Sequence, residues 1–111
     1  MNKVLGILLA LAACSGAAQA QQAVQGNAEA ARAKVSMCIG CHGIPDYKAS
    51  YPEIYRVPKI AGQSAKYIEN SLKSYQKGER NHPSMVAIAA SLSDQDIADL
   101  AAYYANLKPT K

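Results

Sequence analysis

Met37-Cys38-Ile39-Gly40-Cys41-His42-Gly43 gathers the three side chains with most chemical potential into one short stretch. Two thiols three positions apart lie on one helical turn, and an imidazole follows the second. Cys-x-x-Cys-His is the attachment spacing of c-type haem. Each thiol can add across one porphyrin vinyl group, and His42 is then placed to coordinate iron from the same side. Other chemistries fit less well. A thioredoxin-like pair would sit between a strand and a helix, and no strand pattern surrounds these residues. A zinc site needs a fourth ligand, usually from a second pair. A plain Cys38–Cys41 disulfide is the remaining rival in an oxidising compartment.

Iron held by one imidazole needs a sixth ligand or keeps an open position. Beyond the first twenty residues the methionines are Met37 and Met85. Met37 abuts Cys38 and is tied to the proximal side. Met85 lies 43 residues after His42, in the loop-like stretch Asn81-His82-Pro83-Ser84-Met85. Its thioether favours reduced iron and raises the potential. His82 is the alternative ligand, an open site is a third reading, and Met85 as core filler is the bland one.

These residues need a scaffold, and the composition suggests what kind. Met1-Asn2-Lys3, the apolar run Val4–Ala13 and Ala18-Gln19-Ala20 follow the order of a cleaved secretory signal peptide. The apolar run is shorter than the roughly 20 residues of a membrane span. Leu11-Ala12-Ala13-Cys14 also fits a lipoprotein box, with few residues before the cysteine. Cleavage after Ala20 leaves residues 21–111 as one small domain with a core of about 26–107. Its charge is near +3 once Lys3 is removed from 12 basic and 8 acidic residues. That balance suits an acidic docking partner and is too weak for nucleic acid. Chains of this size often rely on a metal, disulfides or a cofactor. With no Trp and no Phe in the chain, a haem would supply the missing core.

The periodicity predicts an all-α fold of three main helices. The first runs from Asn27 to Cys38, with Asn27 as N-cap and Ala28, Ala31, Val35 and Cys38 on one face. The second starts at Ser64 and stops before Gly78, burying Ile68, Leu72 and Tyr75 and pairing Glu69 with Lys73. The third starts at Ser93, with Asp96 completing a capping box, and ends before Pro109. Its apolar face is Ile97, Leu100, Ala101, Tyr104 and Leu107. Met85–Ala90 adds a short extra turn. Gly43–Val57 reads as a long loop, because Pro52 interrupts the helical spacing of Tyr47, Tyr51 and Tyr55. Those rings are expected to pack loosely on a haem edge or on each other.

In this order the motifs resemble the class I c-type cytochromes, nearest to small bacterial periplasmic monohaem members and to single halves of dihaem ones. The matching pieces are Cys38-x-x-Cys41-His42-Gly43, Val57-Pro58-Lys59-Ile60-Ala61-Gly62-Gln63, Tyr75-x-x-Gly78-x-Arg80, Met85 and Asp99-Leu100-Ala101-Ala102-Tyr103-Tyr104. The resemblance implies one covalently attached haem c, with Pro58 accepting a hydrogen bond from the proximal histidine and Ile60 packing on the haem. It implies that Leu100 and Tyr103 lie where the last helix crosses the first, and that Tyr55, Arg56, Lys59 and Arg80 are candidate propionate partners. Ala31 stands where the family often has glycine, which implies a looser crossing.

The function expected is periplasmic transfer of single electrons between redox proteins, such as membrane respiratory complexes or other cytochromes. The carrier is expected to be a monomer that performs no catalysis of its own. Lys48, Lys59, Lys66 and Lys77 could steer an acidic partner or simply keep the protein soluble. The alternatives are a peroxidase-like or gas-reactive haem with a labile sixth position, and a subunit relaying electrons inside a complex.

Overall fold

The computed structural model describes residues 23–51 and 53–109. The expected signal peptide, its cleavage site and Cys14 lie outside the described residues. Within them the elements are a 3₁₀ segment Ala30–Ala33, α1 Ser36–His42, β1 Lys48–Ala49, β2 Tyr55–Arg56, α2 Ala65–Gln76, α3 Pro83–Ala90 and α4 Asp94–Ala105. This is the helical class I cytochrome c architecture expected from the sequence, with one small addition of strand.

The helix ends follow local chemistry. Ser64 accepts the Tyr67 N–H on its hydroxyl at 3.2 Å, and Gly78 turns the chain out of α2 at φ 74°. Ser93 and Asp96 form a reciprocal capping box at the start of α4. Asp96 also pairs with Lys34 at 3.1 Å, which ties the start of α4 to the segment leading into α1. The Ser93 hydrogen bonds and then Lys34 hold the Asp96 carboxyl at about 2, down from 3.8.

Three expectations need correction. The first helix is not one rod from Asn27 to Cys38. It is a tight 3₁₀ turn followed by α1, which continues past Cys38 to His42. Asn27 still caps it, its side-chain oxygen accepting the Glu29 and Ala30 N–H groups at 3.0 and 3.3 Å. The presumed loop Gly43–Val57 contains an antiparallel ribbon pairing Lys48 with Arg56 and Ala49 with Tyr55. Asp46, at φ 54°, starts the ribbon, an Arg56–Asp46 ion pair of 2.8 Å closes it, and Val57 donates to the Tyr47 carbonyl at 2.9 Å. Lastly, Glu69 pairs with Lys66 and Lys73 with Asp94, at 3.8 and 3.6 Å, rather than with each other.

The core is built on α4. Ile97 and Leu100 are its fully buried large side chains, joined by Ala101, Tyr104, Leu92, Ile68, Val35 and Ala31. Leu107 falls outside this face and is exposed. Tyr103 packs edge-on against Tyr104, with ring centroids 5.2 Å apart. The 3₁₀ segment meets α4, and Gly26, in the chain leading into it, also lies close against α4. A Cβ there would lie 2.1 Å from the Ala98 carbonyl oxygen, so this approach requires glycine five residues before Ala31. Asp99, buried in α4, accepts the Asn27 N–H and the Gln95 side-chain amide at 2.7 Å each.

Candidate functional site

Cys38, Cys41 and His42 all lie on α1, whose 3.6-residue turn places the two thiols on neighbouring faces of one helix end. The thiols are not joined to each other. Cys38 points inward and packs against the core, while Cys41 is exposed. Burial raises the Cys38 pKa, so this sulfur is held as a neutral thiol. Tyr104 sits beside it, its hydroxyl buried without a hydrogen-bond partner. Burial raises that phenol too.

His42 is oriented from a different part of the chain. Its Nδ1 lies 2.7 Å from the Pro58 carbonyl oxygen. A carbonyl only accepts, so Nδ1 carries the proton and Nε2 keeps its lone pair for a ligand role. Pro58 is itself fixed by the chain that follows it. Gly62, at φ 78°, donates its N–H to the Tyr104 carbonyl at 2.8 Å. This carbonyl also accepts the Leu107 N–H at 3.2 Å, and its bond to Gly62 ties the Pro58–Gln63 segment to the core. Ile60, in the same segment, is partly buried against the core cluster.

Met85 is not in a loop. It lies in the first turn of α3, after His82 as N-cap and Pro83 at the first helical position. That proline is the signal from which a full helix could have been read. Met85 is half-buried and stands outside the core cluster that Met37 packs against. His82 makes no capping bond. Its Nδ1 is buried without a partner, and its ring lies 6.0 Å from that of Tyr55.

The structure distributes the remaining candidates over different tasks. Arg56 is engaged by Asp46. Arg80 lies between two rings, 5.8 Å from the centroid of Tyr67 and 5.5 Å from that of Tyr75, and donates to the Tyr67 hydroxyl at 3.2 Å. This contact lowers the Tyr67 pKa. Lys48, Lys59, Lys66 and Lys77 are exposed, and Lys66 is paired with Glu69.

A haem fits what these residues offer. The donor set is two unbridged thiols and an imidazole with one nitrogen already committed. In α1 and the segment that follows it, Ile39, Ile44, Ile54 and Tyr55 expose between 49% and 79% of their surface. That is a large apolar area for the chain itself to leave uncovered. Among the described residues there is no cluster of three or more His, Cys, Asp or Glu side chains suited to a bare metal ion. No helix among them is long and apolar enough to cross a membrane.

Comparison with known proteins agrees with this chemistry. The family model described as Cytochrome c matches residues 28–108. The chain is 45% identical over 84 residues to cytochrome c-554(548) of Halomonas halodenitrificans, covering 73% of this chain and 96% of that protein. It is 38% identical over 108 residues to cytochrome c4 of Pseudomonas aeruginosa, covering 97% of this chain and 50% of that one. The chain thus spans about half the length of the cytochromes c4 it matches. A third relative, at 33% identity over 84 residues, is the thiosulfate dehydrogenase electron acceptor of Thiomonas intermedia, of which 36% is covered.

Proposed function

We propose, for a chain that belongs to the cytochrome c family and is therefore an electron-transfer protein with covalently attached haem c, the role of an exported single-haem carrier with His42 and Met85 as the iron ligands. Residues 1–20 act as the cleaved signal, and 21–111 form one domain working in the periplasm. The observation that carries this reading is the 2.7 Å contact between His42 Nδ1 and the Pro58 carbonyl, made by a helix that also holds both cysteines.

The haem supplies the one-electron couple of its iron. The chain's residues attach it, orient it and set its surroundings. Cys38 and Cys41 would hold the group covalently, each able to add its S–H across a vinyl double bond, the sulfur to one carbon and the hydrogen to the other. Pro58 holds the His42 ring in one tautomer and orientation, which fixes the proximal ligand and strengthens its donation. Ile60 lies against the same side as an apolar wall. The Met85 thioether stabilises the reduced state and raises the potential. Ligands fixed on α1 and α3 need little rearrangement when an electron arrives or leaves. Ile39, Gly40 and Cys41 are exposed, so the attachment turn lies at the surface where a donor or acceptor approaches. Its partners are redox proteins, met as a monomer, and the chain itself transforms no substrate.

The test is an oxidised and reduced optical spectrum with a potentiometric titration, on wild type and Met85→Ala. Wild type should show a six-coordinate spectrum and a far-red methionine–iron band in the ferric state. Met85→Ala should lose that band and drop in potential. A band that survives the substitution overturns the ligand assignment.

A further inference from the structure

α3 is two turns long and has one fully buried residue, Ala89, at 0% exposure. Met85 stands four positions before it, so both occupy the same helix face. Where Ala89 sits therefore decides where the Met85 sulfur is offered. The N-terminal end of α3 contributes little to this placement, since His82 makes no side-chain capping bond there. The C-terminal end is held differently. Gln76, in the last turn of α2, donates its side-chain amide to the Ala89 carbonyl and to the Leu92 carbonyl, both at 2.9 Å. One NH₂ group has two hydrogens, and both are used. The first closes the end of α3, and the second reaches the residue just before the Ser93 cap of α4. One side chain thus joins the ends of three helices.

We propose that Gln76 is a positioning residue for the distal ligand: by fixing the Ala89 end of α3 it holds Met85 in place and sets how readily another ligand displaces it. The proposal rests on Met85 being that ligand. Ala89 buries only a methyl group, and small buried groups resist sliding weakly. The directional bonds of Gln76 supply the register that this packing does not.

The experiment uses the haem-loaded ferric protein. Gln76→Glu keeps the shape but turns the two-hydrogen donor into an acceptor facing two carbonyls. Gln76→Leu removes the bonds without adding charge. Ile97→Val, in the core of α4, serves as a control for general loosening. Imidazole titrations, read by loss of the far-red band, report displacement of methionine. Gln76→Glu should bind imidazole about tenfold more tightly than wild type, with Gln76→Leu between them. At a pH low enough to protonate the introduced Glu one donor is restored, and the ratio of Gln76→Glu to wild-type imidazole affinity, both read at that same pH, should fall part of the way back to one. Unchanged imidazole affinity in both Gln76 variants overturns the proposal. So does an equal rise in Ile97→Val. The Met85→Ala spectrum separates the two ideas: a far-red band that survives there refutes the ligand itself, whereas its loss with indifferent Gln76 variants refutes only the positioning.

Discussion

α4 and the segment from Gly43 to Val57 are of similar length and treat their apolar residues in opposite ways. α4 buries Ile97, Ala98, Asp99, Leu100, Ala101 and Tyr104. Among its described residues the segment buries none, and its Ile54 is 79% exposed. The difference shows how a small chain divides the labour of folding. α4 packs against protein, meeting α2 and the 3₁₀ segment. The ribbon is shaped by its own turn, ion pair and short ladder, and its apolar side chains Ile54 and Tyr55 stay exposed.

If that contrast is right, equal changes should have unequal costs. Ile97→Ala should destabilise the holoprotein by about 2–5 kcal/mol in denaturant titration, because a sealed site cannot collapse around the lost atoms. Ser93→Ala should cost about 1 kcal/mol, the usual worth of a cap. It should also alter the acid limb. The Asp96 pKa is lower folded than unfolded, so its contribution is complete above about 4 and is lost as the pH falls towards about 2. Stability measured across that window should fall slightly more steeply in wild type than in Ser93→Ala, which removes the hydroxyl bond to Asp96 but keeps the larger one from the Ser93 backbone N–H. Ile54→Ser should change unfolding stability by no more than about 0.5 kcal/mol. A cost for Ile54 approaching that of Ile97 would erase the distinction between the two regions.

The same contrast separates what the sequence discloses from what it hides. Ser64, Gly78 and the Ser93–Asp96 pair were readable because a cap involves residues three or four apart. The Cys38-x-x-Cys41-His42 turn was readable for the same reason. The ribbon was missed because each strand has only two residues, too few for alternation to register. α3 is harder to read because Asn81, His82, Pro83 and Ser84 before Met85 have the composition of a loop, although Pro83 at its first position marks a helix start. Most hidden of all were contacts between distant positions. Gly62 to Tyr104, Gln76 to Ala89 and Leu92, and Asn27 to Asp99 depend on the completed packing. The glycine demand fell on Gly26, where an added Cβ would meet the Ala98 carbonyl, while Ala31 is accommodated at 1% exposure.

The junction of Gly26 and Asn27 with Ala98 and Asp99 closes the stretch between them into a circuit, clasped where the two positions meet. Enlarging such a circuit costs little, since the entropy of bringing the ends together rises only with the logarithm of the length enclosed. The ribbon, self-supporting and within the enclosed stretch, is accordingly where a few added residues should cost the fold least while the clasp keeps its shape.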